Sequence, residues 1–231
     1  EAKEAVRITG STESTNTNTV TIKGGAITAL WAVRNVVSGA TVNVTGGTLT
    51  MPKGSGESDQ ALVGMNGGTL NISAAGKNGI KSGTENEGRE ASLTIRELTL
   101  NIDAPVNDAV NAEQTLNVES GTMNISAGDD ALHSDYTLNI GAEDTAGPTI
   151  TISTCNEGLE GATLNVFSGT IDITAADDCL NAANGDLTNY DFSMNISGGT
   201  INAYTSGGDG FDSNGSLTIS GGSIAVWTAN T

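Results

Sequence analysis

From Thr41 onward, apolar residues fall on every second position in short runs, and the runs come in pairs. "TVNVTGGTLTM" begins at Thr41, "TLNVESGTMNIS" at Thr115, "TLNVFSGTIDIT" at Thr163, "MNISGGTINAYT" at Met194 and "LTISGGSIAVWT" at Leu217. Each reads as an alternating strand, a glycine-containing turn and a second alternating strand, because a period of two is that of a strand with one buried face. In the pair from Thr163, the pattern turns Leu164, Val166, Ile171 and Ile173 inward and Asn165 and Asp172 outward.

The first strand of the pair recurs at Leu93, Leu116, Leu138, Leu164, Met194 and Leu217, in steps of 23, 22, 26, 30 and 23 residues. Such a step is too long for the nonapeptide calcium roll, and the fixed leucine and asparagine positions of leucine-rich repeats are missing. A coil of two or three short strands stacked on like coils fits, which is an all-β, right-handed parallel β-helix. About nine or ten coils fill the length, as one domain over residues 1–231. The longer steps place insertions at Met51 to Glu57, Ser82 to Ala91, Gly141 to Pro148 and Ala183 to Ser193.

Composition supports strands and turns: of 231 residues 31 are glycine, and aromatics are only 3%. No apolar run is long enough to span a membrane. The chain opens at Glu1 with no visible signal peptide, as a chain beginning after one would. Charge alters the picture more. The net charge is −18, all nine Lys and Arg lie between Lys3 and Arg96, and 19 Asp and Glu follow from Glu97 on. This excludes nucleic acid as a partner, because phosphates need cations.

The acids are not scattered. Each coil makes a corner after its second strand, and aligning the corners gives three columns. The first reads Asp59, Lys77, Asn107, Asp129, Asn156, Asp177, Gly208; the second Gln60, Asn78, Asp108, Asp130, Glu157, Asp178, Asp209; the third Val63, Lys81, Asn111, His133, Glu160, Asn181, Asp212. From Asp108 to Asp209 the second column is unbroken carboxylate. Two charges at coil spacing repel by about 3–4 kcal/mol at an effective dielectric of 20, so protons or cations must relieve them. Oxygen donors at this density suit Ca2+. The candidate ligands are Asp108, Asp129, Asp130, Asn156, Glu157, Glu160, Asp177, Asp178, Asn181, Asp209 and Asp212. The alternative is a solvated acidic edge with loosely held sodium.

Other chemistry is thin. His133 is the chain's single histidine, placed as an exposed or hydrogen-bonded bystander rather than a general base. Asp130, His133 and Ser134 are too local to form a triad, and no phosphate loop or zinc pattern is present. Cys155 and Cys179 are open to pairing or metal binding, with two buried thiols favoured. Tyr204 and Trp227 fall at equivalent outward positions of adjacent coils, after inward Ala203 and Val226. They and Tyr190 on an insertion are candidate sugar contacts, or else cover an end beneath a cap.

"MNISGGTINAYTSGGDGFDSNGSLTISGG" from Met194, "EGLEGATLNV" from Glu157 and "DDALHSD" from Asp129 resemble the bacterial carbohydrate-binding domain-containing proteins, whose β-helix is similar to that of pectate lyases. The resemblance implies a secreted protein of the bacterial cell surface that binds calcium and plant cell-wall polysaccharide, both cellulose and acidic sugars such as polygalacturonate. It puts the metal on Asp129, Asp130, Asn156, Glu157, Asp177, Asp178, Asp209 and Asp212, while Lys77 and Lys81 break the acidic pattern. The resulting expectation is a non-catalytic polysaccharide-binding protein. The alternatives are a lyase or hydrolase on the same fold, or a structural rod or adhesin stiffened by calcium. Against a lyase stands the lack of Lys or Arg after Arg96 to serve as the base; Arg89 sits in an insertion and Arg96 points outward.

Overall fold

The alternating runs all become strands. The computed structural model describes residues 92–229 without a break, together with 4–8, 19–22, 25–28, 31–35, 41–44, 48–51, 65–72 and 78–82. Corner positions Asp59, Gln60, Val63 and Lys77, most of the insertion after Met51, residues 83–91 and with them Arg89 lie outside the described residues. Within them there are 22 strands and no helix, and every strand pair is parallel.

Each coil has three sides. The first is formed by Ile80–Ser82, Val110–Ala112, the starts of Leu132–Ile140 and Leu159–Val166, then Leu180–Ala182 and Phe211–Ser213. The second runs from Ser92 through Thr115–Val118 and the ends of Leu132–Ile140 and Leu159–Val166 to Ser193–Ile196 and Ser216–Ile219. Its register pairs Leu93, Leu116, Leu138, Leu164, Met194 and Leu217 in turn, as the repeat predicts. About six turns thus lie in the unbroken stretch. The third side is the longest ladder, nine strands from Ala26–Thr28 to Ser223–Thr228. The expected short strands partly run together: Ser92–Ala104 spans the second and third sides without interruption.

Stacking makes the interior a set of apolar columns. Leu116, Leu138, Leu164 and Met194 have no exposed surface, nor do Leu100, Met123, Ile150, Ile171 and Ile201 on the third side. Each such side chain contributes about 1.5–3 kcal/mol by leaving water. Outward positions stack too. Asn117, Asn139, Asn165 and Asn195 form a ladder in which each amide donates to the previous one at 2.8–3.0 Å. The turn between the second and third sides demands glycine at Gly121, where φ is +113° and a Cβ would lie 2.4 Å from the Leu98 carbonyl oxygen.

Two insertions can be placed. Gly141 to Pro148 is tied to the next coil by Ser168 Oγ, which donates to the Ala142 carbonyl at 2.9 Å and accepts from its N–H at 3.2 Å. Ala183 to Ser193 is anchored by Asn184 Nδ2, which donates to the Asp135 carbonyl at 2.8 Å. Cys155 and Cys179 are buried free thiols, and burial pushes them up to about 12 and about 11, which disfavours the thiolate.

Leu138→Ala is expected to cost about 2–5 kcal/mol through loss of buried surface and the cavity left behind. Asn139→Ala, which breaks a half-buried ladder, should cost about 1 kcal/mol. Guanidinium unfolding midpoints of the two variants against the parent check the order.

Candidate functional site

The corner between the third and first sides carries the acids, and the coil spacing brings them into files. Backbone N–H groups of Ala109, Ala131, Gly158 and Cys179 donate to the carbonyls of Asp130, Glu157, Asp178 and Asp209 at 2.9–3.0 Å, so each acid of the second column sits one rung from the last. In the first column Asn156 N–H donates to the Asp129 carbonyl at 2.8 Å and Asp177 N–H to that of Asn156 at 2.9 Å. In the third, strand register aligns Lys81, Asn111, His133, Glu160, Asn181 and Asp212. All three columns agree with the sequence alignment over the described residues.

The electrostatic consequence is visible in the acids themselves. Burial, with the neighbouring Asp130 carboxylate, raises Asp108 and Asp129. Burial, reinforced by Asp130, Asp178 and Asp177, raises Glu157. Asp178 is raised by burial and by Asp177, Asp212 and Asp209, although the Asp209 N–H donates to its Oδ1 at 2.6 Å. Asp130, only 6% exposed, is pushed up to about 6, first by burial and then by Glu160, against the opposing hydrogen bond from His133.

His133 is half-buried and hydrogen-bonded rather than exposed. Its Nδ1 lies 2.8 Å from Asp130 Oδ2 and 3.0 Å from Glu160 Oε2, and its Nε2 lies 3.0 Å from Asp135 Oδ1. Burial alone would lower its pKa, but hydrogen bonds to these three carboxylates raise it to about 12. It is an imidazolium built into the acidic file, and a group so strongly protonated is no general base. The sequence alignment had put it in the third column; what it lacked was the side-chain reach that joins His133 to acids on either side.

Two groups of side chains bring ligand atoms within 4.8 Å of one another: Asp108, Asp130 and His133, and Asp130, Glu157 and Glu160. Imidazolium nitrogen cannot ligate a cation, so the first group does not suit a hard ion. The second is all oxygen. Beside it Asn181 donates its amide to Glu157 Oε2 at 2.9 Å while its own Oδ1 is buried without a hydrogen-bond donor. Asn111 Oδ1 is in the same condition. An orphaned buried carbonyl next to three carboxylates fits the donor set that calcium takes. Asp129, Asn156, Asp177, Asp178, Asp209 and Asp212 lie along the same files but outside that group.

Tyr204 and Trp227 occupy paired positions on neighbouring rungs of the third side and are 42% and 56% exposed. Tyr190 is not with them. Its ring packs on Tyr136 and Phe192, with centroids 6.1 and 5.3 Å away, and its hydroxyl lies 3.1 Å from Thr163 Oγ1 at the start of the second side. Arg96 is exposed and forks onto the Glu119 carboxylate, away from the corner.

Residues 143–231 match the family described as "Carbohydrate-binding domain-containing protein". This supports a carbohydrate-binding role and a carbohydrate partner. No curated protein and no solved structure matches the chain. Among the described residues no helix is long and apolar enough to cross a membrane.

The acids dictate a pH dependence. Asp130 has a folded pKa above its ordinary 3.8, so its ionisation destabilises the fold as pH rises through about 6. His133, raised from 6.5, contributes stability that is complete below 6.5 and lost as pH climbs toward about 12. Both signs agree. In chelator, the melting temperature is expected to fall between about pH 5 and about pH 8, and His133→Gln should flatten the decline above neutrality. A melting temperature that rises over that range would contradict the arrangement.

Proposed function

We propose that the chain is a non-catalytic polysaccharide-binding protein whose acidic corner holds calcium and through it recognises acidic sugars of the polygalacturonate type. The observation that carries this is the stacked group Asp130, Glu157 and Glu160 with the unpartnered Asn181 Oδ1 beside it. His133 offsets part of the repulsion between Asp130 and Glu160, but no Lys or Arg follows Arg96 in the chain to serve the rest of the file. A divalent cation does so, and any coordination position the protein leaves unfilled is open to a sugar carboxylate. The motif resemblance also supports a secreted, cell-surface setting.

Cleavage is disfavoured on the same residues. β-Elimination needs a base beside the metal, and Arg96 is occupied by Glu119. Hydrolysis by paired carboxylates needs a protonated donor within reach of the glycosidic oxygen. Asp130 has the raised pKa for it, but is buried and tied to His133.

Millimolar calcium is expected to raise the melting temperature over that in chelator, since a ligand of the folded state alone stabilises by RT ln(1 + [L]/Kd), about 2.7 kcal/mol at a hundredfold excess over Kd. Glu157→Gln combined with Asp178→Asn should shrink the shift, and superimposable melting curves with and without calcium would defeat the assignment. Prolonged incubation with polygalacturonate and calcium should yield neither unsaturated products nor new reducing ends; either would make the protein an enzyme.

A further inference from the structure

The insertion from Ala183 to Ser193 carries an Asn–Gly pair, Asn184–Gly185, whose setting differs from that of a second such pair one coil later. Asn184 is half-buried and Gly185 exposed. The Asn184 side chain is held at both ends: Nδ2 donates to the Asp135 carbonyl at 2.8 Å, and Oδ1 accepts from the Asp186 N–H at 2.9 Å. The Gly185 N–H between them makes no hydrogen bond among the described residues. A Cβ placed on Gly185 would meet nothing within 4 Å, so the peptide there is open to solvent. The second pair, Asn214–Gly215, is fastened instead. Gly215 N donates to Ser213 Oγ at 3.3 Å, and Gly215 lies directly against the Phe192 carbonyl.

We propose that Asn184 is a site of spontaneous deamidation, and that its conversion unfastens the first half of the insertion from the rod. Glycine after asparagine has no side chain to hinder closure of its nitrogen on the preceding amide. Gly185 N gives its proton to hydroxide and bonds to Asn184 Cγ; the Cγ–Nδ2 bond then breaks and ammonia leaves. Water opens the cyclic imide at either carbonyl, giving aspartate or isoaspartate, with no oxidant or cofactor. The Asp186 N–H on Oδ1 stabilises the oxyanion that forms at Cγ, as a backbone donor does in acyl transfer. Either product replaces an amide donor by a carboxylate, which cannot donate to the Asp135 carbonyl. That bond ties the start of the insertion to a residue 49 positions earlier. The end of the insertion is fixed separately, by Tyr190 on Tyr136 and Thr163. Between the two anchors Asn189 is held at φ +58°, a left-handed conformation that the surrounding structure must sustain.

The test is incubation of the folded protein in warm, mildly alkaline buffer, with peptide mapping by tandem mass spectrometry at intervals and circular dichroism confirming the fold. Asn184 is expected to convert to a mixture of aspartate and isoaspartate, faster as hydroxide rises, while Asn214 stays intact over the same period. Gly185→Ala should slow the conversion several-fold, and the open space at that position accommodates the added methyl without a clash. Limited subtilisin digestion reads the consequence: cuts within residues 183–189 should appear several-fold faster in the aged protein and in fresh Asn184→Asp than in the fresh parent. An Asn184 that stays intact in the folded parent overturns the proposal. So does conversion of Asn214 at the same rate, which would leave the dipeptide rather than its setting in control, or conversion of Gly185→Ala at the parent's rate. Digestion of Asn184→Asp no faster than that of the parent overturns the unfastening.

Discussion

The in-register parallel backbone ladder is the constraint on which everything else depends. Each coil satisfies its backbone N–H and C=O groups with the coils above and below, so a coil cannot slip by one residue without exchanging its buried and exposed faces. Equivalent side chains are therefore held about 4.8 Å apart along every column. That spacing suits branched apolar chains, which fill the interior from Leu93 to Met194. It also suits amides, which pass one hydrogen bond per rung from Asn117 to Asn195.

The same spacing is adverse for like charge, and the corner shows how the molecule meets that cost locally. Asp108 and Asp178 each receive a backbone N–H from the next coil, Glu157 receives the Asn181 amide, and Asp130 shares His133 with Glu160. Even with these partners all four acids stay raised, first by burial and then by the neighbouring carboxylates. A structural acid edge would be expected to interleave lysines, as the strand pairing of Lys81 with Asn111 does one rung earlier. After Arg96 the chain offers the corner no basic side chain except His133.

The shallow groove lined by Thr151, Ser153, Asp172, Asn202, Tyr204 and Trp227 adjoins the corner, because the strand bearing Tyr204 runs directly into the turn bearing Asp209. They nonetheless differ in chemistry. One offers rings, hydroxyls, an amide and the single carboxylate of Asp172, the other a concentrated negative field.

Much of this molecule was legible in the order of its residues. Alternation set the strands, the steps between Leu93 and Leu217 set the register, and aligning the corners put Asp108, Asp130, Glu157, Asp178 and Asp209 on one file, all because a solenoid makes equivalent sequence positions spatial neighbours. What needed the tertiary structure was whatever depends on side-chain reach or on a departure from the repeat. His133 adds Glu160 to its local partners Asp130 and Asp135 only when coils 27 residues apart in sequence are stacked. Tyr190 leaves the Tyr204 and Trp227 strip because its insertion folds toward Thr163 and Tyr136. The bulge that leaves Ser153 unpaired and the change from Asn202 to Ala225 on the next rung likewise interrupt the repeat. Periodic features follow from local pattern, since the ladder copies them from coil to coil; the aperiodic ones arise where neighbouring coils differ, and only packing decides how they meet.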